Sequence, residues 1–295
     1  YPPCELRLVG FDPSAEKFKK FYRPDIALVV DFFSAKKFRN YFPGVKARLV
    51  TSIAMFYDLE RPLEFMREVA SLLAEDGVWH FEQSYLPTML AMNAYDTICH
   101  EHLEYYAMKQ IKWMADRSGL KIIELQTNDV NGGSFAVTAA RSDAPFPEAS
   151  ADIARFLSEE AALGLGDAKV YSDFKARVFN HREQLLAELE GWRKQGKKVL
   201  GYGASTKGNV ILQFCGITPA ILPRIAEVNP DKFGAFTPGT KIPIVSEEQA
   251  HALNPDCFLV MPWNFRKGLI QREAAYLKRG GKLLFPLPKL EIVGG

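Results

Sequence analysis

Short β-rich runs alternate with stretches of helical periodicity along the first half of the chain. The runs LRLVGFD (6–12), ALVVDFF (27–33), ARLVTSIAM (47–55) and GVWHFEQS (77–84) are separated by helical segments such as RPLEFMREVASLLAED. That spacing predicts parallel strands joined by crossover helices, a doubly wound sheet. The clearest helix starts at Pro62, since proline suits a first turn and Leu63, Met66, Val69, Ala70 and Leu73 share one face, which is expected to pack on the sheet. A second helical stretch, KQIKWMADRSG (109–119), precedes LKIIELQTN (120–128) and GSFAVTAAR (133–141), with only DVNG between them. Two strands so closely joined are expected to be antiparallel neighbours, because a parallel crossover needs about a dozen residues or more.

A parallel α/β sheet that finishes in an antiparallel hairpin is the arrangement of class I S-adenosylmethionine (SAM) methyltransferases, and fold analogy points there. SDAPFPEAS (142–150) breaks the pattern with two prolines and reads as a linker. Beyond it, Tyr171, Phe174, Val178, Leu185, Leu189 and Trp192 keep helical spacing and predict a long amphipathic helix between two domains. After KQGKK (194–198) a second α/β unit begins: strand KVLGYGA, helix STKGNVILQFCG, strand RIAEVN, a Gly/Pro-rich loop, strand CFLVMPW, a helix, and strand KLLFPLP. The expected layout is a methyltransferase-like, Rossmann-like α/β domain over residues 1–145, a helical linker over 146–195, and a second Rossmann-like α/β domain over 196–295.

Composition narrows the function classes. Lys and Arg number 37 against 35 Asp and Glu, and they form no long run, so neither a nucleic acid nor another polyanion is expected as partner. Four cysteines without a Cys-x-x-Cys pair suggest neither a disulfide framework nor a zinc knuckle, and fit a reducing cytoplasm. No apolar run approaches the roughly 18 residues that span a bilayer, and YPPCELRLVG lacks signal-peptide character, so no membrane association is expected.

Three stretches carry candidate chemistry. Asp12 lies at the C-terminal end of the first strand, where an acid can accept bonds from both ribose hydroxyls or can cap the helix that follows. Asp31 and Phe32 end the second strand, where they can hold an adenine or simply finish the strand; Ser52, on the third strand, is a further cofactor candidate. GYGASTKGN (201–209) follows a strand and opens a helix, an arrangement whose amides attract phosphate. Gly203, Ser205, Thr206 and Lys207 are its candidate contacts, and Glu227, Asn229 and Lys232 follow at the end of the next strand, where a ribose-binding acid would sit. The glycine spacing departs from Gly-x-Gly-x-x-Gly and is no Walker motif. Finally, YDTICHEHLEYY (95–106) gathers Cys99, His100, Glu101, His102 and Tyr105. Alternation would place both histidines on one side and Glu101 on the other, as base, metal ligands or a polar turn; no third metal ligand stands at a diagnostic spacing, and no metal is expected.

Taken together, AYDTICHEHLEYY, NDVNGGSFAVT, GYGASTKGN, EVNPDKFGAFTPGTKIPIV and PWNF resemble, in order, the sugar C-methyltransferases that act on nucleotide-linked 4-keto-deoxyhexoses. The resemblance covers nearly all of the chain. It implies SAM as methyl donor, S-adenosylhomocysteine as product, and a C-terminal domain that helps bind the nucleotide sugar. It also implies a cysteine-rich zinc domain and a SAM glycine loop that this sequence lacks, which suggests an N-terminal truncation, with zinc relevant only if that domain exists. The 4-keto group acidifies the C3 proton; the resemblance makes His102 the base, Glu101 its tuning neighbour and His100 a possible donor to the enolate. Cys99 stands where the family often has tyrosine, so Tyr95, Tyr105 or His100 takes that assisting role. Asn128, Asn131 and Gly132 border the same cleft or only turn the hairpin. Two other readings compete: an NAD-dependent sugar oxidoreductase using the GYGAS loop, and a non-catalytic nucleotide-sugar-binding protein descended from a methyltransferase.

Overall fold

The computed structural model describes residues 6–294. The first unit runs β1 (Leu8–Phe11), α1 (Ala15–Phe18), β2 (Ile26–Val29), α2 (Ala35–Tyr41), β3 (Ala47–Ile53), α3 (Pro62–Leu72), β4 (Leu73–Ser84), α4 (Leu86–Ala91), α5 (Met108–Arg117), β5 (Leu120–Asn128) and β6 (Ser134–Arg141). β3 and β4 are parallel, whereas β6 pairs antiparallel with both β4 and β5, giving the order β3-β4-β6-β5. The hairpin read from the short DVNG connection is thus present. The expectation of one continuous sheet is corrected: β1 and β2 pair in parallel with each other as a separate two-stranded sheet.

Strand alternation decides which face is covered. Trp79, Phe81 and Gln83 of β4 point to the side on which α3 and α5 lie, where Met66, Val69, Met108 and Ile111 close a dry core. Phe56, fully buried, contacts Trp79, Phe81 and Tyr106 in the same cluster. Helix α3 begins at Pro62 and buries Met66 and Val69 as the sequence predicts, with Leu72 buried in addition, whereas Leu73 is the first residue of β4.

Two helices follow, α6 (Ser150–Ala162) and α7 (Ala168–Lys194). α6 carries buried Glu160, whose carboxylate accepts from the amides of Met108 and Lys109 and from Tyr85 Oη, so that it neutralises the bare N-terminus of α5. α7 buries Phe174, Val178, His181, Leu185 and Leu189 on one stripe.

The last unit comprises β7 (Val199–Tyr202), α8 (Thr206–Cys215), β8 (Ile225–Glu227), β9 (Ile244–Ser246), α9 (Glu247–Ala252), β10 (Cys257–Val260), α10 (Arg266–Arg272), α11 (Ala274–Lys278), β11 (Lys282–Phe285) and β12 (Glu291–Val293). Its sheet has the order β12-β11-β10-β7-β8-β9, parallel except for β12. The order reverses between β7 and β10, the kind of switch point at which open α/β sheets bind ligands, and Gly203 after β7 packs there against Pro262 after β10. The apolar cluster of this unit extends through α7 to Met89, Leu90 and Tyr95 of the first unit, so the two sheets share packed side chains.

Candidate active site

The segment between α4 and α5 is a short 3-10 turn, Tyr95–Thr97, followed by an irregular loop closed by His102 N–H donating to the Cys99 carbonyl at 3.2 Å. Leu103 N–H and Glu104 N–H both donate to the Tyr57 carbonyl, at 3.0 and 3.1 Å, which seats the loop beyond the C-terminal end of β3. Because the chain turns here, side chains do not alternate as a strand would dictate. His100 and Glu101 both face solvent, paired Nδ1 to Oε2 at 3.2 Å, while His102 alone turns inward. The expectation that the two histidines share one side is therefore corrected.

The His102 ring packs on Tyr57, centroids 4.3 Å apart. Burial pushes its pKa below the usual histidine value, although Asp58 and a bond to the Thr97 backbone favour the charged form. Nδ1 is buried and has no hydrogen-bond partner among the described residues. Nε2 is not enclosed in this way, so it is the ring nitrogen that a substrate can reach. Burial raises Asp58 in turn, and it raises Cys99 and Tyr105 as well. Glu101 lies below the usual carboxylate range because its own backbone amide, then Cys99 and the histidines, favour the anion. Tyr57 and Asp58 were not singled out in the sequence; their signal was an aromatic and an acid just past a strand's C-terminal end.

The loop meets the C-terminal unit directly. Asp96, 1% exposed, accepts from Trp263 Nε1 on Oδ2 at 2.7 Å, while its Oδ1 has no partner among the described residues. Burial raises the Asp96 pKa. Trp263 also covers Gly132, whose φ of +87° and close approach leave no room for a side chain: a Cβ there would stand 2.8 Å from the ring. Asn131, itself left-handed at φ 54°, gives its carbonyl to Lys207 Nζ at 3.0 Å. Asn128 donates to Glu82 Oε2 at 2.8 Å, so the 128–132 turn both closes the hairpin and borders the loop. Neither Asp96 nor Trp263 carried a readable role in the sequence, since their contact spans 167 positions.

The glycine loop after β7 is closed by its own residues. Glu227 accepts from Ala204 N–H at 3.0 Å on Oε2, and from Val228 and Asn229 N–H at 2.8 and 3.1 Å on Oε1. Burial works to raise Glu227, yet these amides and Lys232 outweigh it and hold the carboxyl low. Lys232 Nζ reaches the Ala204 carbonyl at 2.8 Å and Glu227 at 3.3 Å. Ser205 caps α8 by accepting from Gly208 N–H, Asn229 accepts from Asp231 N–H, Gly203 lies at φ +84° against Pro262, and Thr206 is exposed. The carboxylate thus occupies one of the loop amides a phosphate would otherwise use, and Lys207 leaves this loop for the other domain.

A family profile described as the C-methyltransferase C-terminal domain matches residues 129–288, more than half of the chain. The chain belongs to that family. A methyltransferase-domain profile matches residues 3–125. The C-methyltransferase NovU of Streptomyces niveus is 34% identical over 247 residues, 84% of this chain and 59% of NovU, so the chain spans under two thirds of that relative's length. Among solved structures, the N-methyltransferase NodS from Bradyrhizobium japonicum is 14% identical with a TM-score of 0.31, covering 46% of this chain and 73% of its own. A pericyclic reaction enzyme is 14% identical with a TM-score of 0.39, covering 48% and 38% respectively.

The residues expected to hold a methyl donor stand at the ends of β1 and β2 and on β3. Phe32 is 71% exposed, and Asp31 beside it is held by Phe32 N–H and by Lys37 at 2.6 Å, an open ring face next to an ordered acceptor. Asp12 is also ordered: Ser14 Oγ and N–H bond Oδ1 at 2.7 and 2.8 Å, Tyr22 Oη bonds Oδ2 at 2.8 Å, and these bonds lower its pKa, the Ser14 hydroxyl foremost. Oδ1 already accepts two bonds, whereas Oδ2 keeps a second lone pair for a ribose hydroxyl. Ser52 is buried with its Oγ accepting from Trp79 Nε1 at 2.9 Å, which turns it toward the helix-covered core. The residues present at Asp12 and Asp31–Phe32 suit a nucleoside. No group of three or more His, Cys, Asp or Glu among the described residues could hold a metal ion, and no described helix is long and apolar enough to cross a membrane.

Proposed function

We propose that the protein is a SAM-dependent C-methyltransferase whose acceptor is the carbon next to the ketone of a nucleotide-linked 4-keto-deoxyhexose. The observation that carries this reading is the inward His102, kept neutral by burial, on a loop pressed against a second Rossmann-like unit. A ketone acidifies its neighbouring C–H, and a neutral imidazole is the side chain suited to take that proton near pH 7. SAM, when bound beside Asp12 and Phe32, supplies an electrophilic methyl group. The chain's own residues do the rest: Tyr57 and the Thr97 carbonyl orient the imidazole, and Asp58 stabilises it once protonated. Glu101, His100 and Cys99 line the solvent side of the same loop and Tyr105 the C-terminal side. The second unit, through Ser205, Thr206, Asn229 and Lys232, receives the nucleotide end of the substrate.

Two measurements on the full-length protein test the reading. Calorimetry should detect S-adenosylhomocysteine binding, and dTDP-4-keto-6-deoxyglucose in D2O should gain deuterium next to its ketone. His102→Ala should abolish that exchange while leaving nucleotide-sugar binding nearly intact. Undiminished exchange in the variant would remove His102 as base, and absence of exchange in the parent protein would remove the keto-sugar substrate.

A further inference from the structure

Lys207 stands on the glycine loop of the C-terminal unit, yet its side chain crosses to the methyltransferase unit. It is half-buried, and its ammonium donates to the Asn131 carbonyl at 3.0 Å. An ammonium carries three donors, and among the described residues Lys207 forms no ion pair within 4.0 Å. Asp96, whose charge favours the Lys207 ammonium, spends Oδ2 on Trp263 and has no partner on Oδ1 among the described residues. The side chain is thus a cation with donors to spare, held in a partly dehydrated seam between Asn131 and the loop that carries His102.

From this placement we infer that Lys207 is a catalytic residue of the methyltransferase site, donating from Nζ to the ketone oxygen of the substrate as it becomes an enolate. The inference deepens the keto-sugar reading above and rests on it. In the step, His102 Nε2 takes the proton from the carbon next to the ketone; the C–H electron pair forms the C=C bond, and the carbonyl π pair moves onto oxygen. The oxygen gains a full negative charge, and a fixed cation in a low-dielectric seam stabilises it without having to reorient. No co-reactant is consumed, and the proton stays on His102.

Charge effects run in the same sense. Burial lowers the Lys207 pKa, while the charges of Asp96 and Cys99 oppose that change. The Lys207 charge reaches His102, where it disfavours the protonated ring. One cation therefore helps both to keep the base neutral and to receive the charge that the base creates. This also explains why a lysine in a phosphate-loop sequence lies away from that loop's own amides, one of which already holds Glu227.

The test is solvent exchange with dTDP-4-keto-6-deoxyglucose in D2O without SAM, in the full-length protein. Lys207→Met removes the charge, and Lys207→Gln removes the charge while keeping a donor for the Asn131 carbonyl. Both should slow exchange by about 100-fold or more, the effect typical of losing one oxyanion donor, and change nucleotide-sugar binding by under about threefold. Lys207→Arg should retain most of the exchange. Wild-type exchange in Lys207→Gln, with circular dichroism unchanged, would overturn the assignment and leave Lys207 a strut for the Asn131 turn. Absence of exchange in the parent protein would instead overturn the keto-sugar reading, and this inference with it.

Discussion

Gly132→Ala offers the most direct probe of the seam on which the site depends. At φ +87° an L-residue costs about 1–2 kcal/mol from backbone strain alone. The new Cβ would also stand 2.8 Å from Trp263 Cη2 and 3.1 Å from Cζ2, where ordinary contact begins at 3.4 Å. The indole would have to withdraw by roughly 0.6 Å, which stretches its 2.7 Å bond to Asp96 past the usual N–H···O range and adds about 1–3 kcal/mol of overpacking. Gly216→Ala is the control: it too is left-handed, at φ 66°, but nothing lies within 4 Å of its Cβ position, so it carries the strain without the collision. Urea unfolding followed by circular dichroism, with m-values matched to the parent, should place Gly132→Ala about 1–3 kcal/mol below Gly216→Ala. Equal losses in the two variants would refute the close packing of Trp263 on this turn, and with it the geometry that brings Lys207 to Asn131.

The pH dependence of exchange should report His102: the rate holds at and above ordinary histidine pKa values and falls only as pH drops through a lower one, because burial depresses this group. Between the depressed and the unfolded value the unfolded chain binds more protons, so stability should rise with pH across that window; a rate inflection above about 6.5 would contradict the assignment. Phe32→Ala, at a 71% exposed position, should leave stability within about 0.5 kcal/mol of the parent yet weaken S-adenosylhomocysteine binding roughly 2- to 12-fold, the value of about 0.5–1.5 kcal/mol of stacking; unchanged affinity in calorimetry would remove Phe32 from the cofactor site. Tyr95→Phe deletes the hydroxyl that donates to His181 Nδ1 at 3.2 Å, while His181 Nε2–H stays on the Pro286 carbonyl at 2.5 Å. Leaving that buried acceptor unpaired should cost about 1–3 kcal/mol in urea unfolding, and a loss under about 0.5 kcal/mol would show that the bond does not tie the loop to α7 and the last strands.

Much of the architecture was written locally. The hairpin of β5 and β6 follows from a four-residue connection, α3 from Pro62 and its apolar spacing, and the cap of α8 from Ser205, because each depends on neighbours a few residues away. The His100-Glu101-His102 motif was legible as a site, but its geometry was not: periodicity presupposes a regular backbone, and here the chain turns, sending two of the three side chains to water. Where the sequence offered Lys207 as a phosphate contact and Glu227 as a ribose-binding acid, packing gave Glu227 to the glycine loop's own amides and Lys207 to Asn131, 76 positions upstream.

What the sequence determined by itself, then, is the set of elements, the two Rossmann-like units and the chemical types gathered on each loop. Tertiary structure alone decided that Asp96 meets Trp263, that His102 turns inward with Nδ1 buried, and that a cation from one unit faces the loop of the other. The physical reason is that a residue pattern specifies which face of an element is apolar, whereas the partner across a buried seam is set by how two separately formed surfaces fit together.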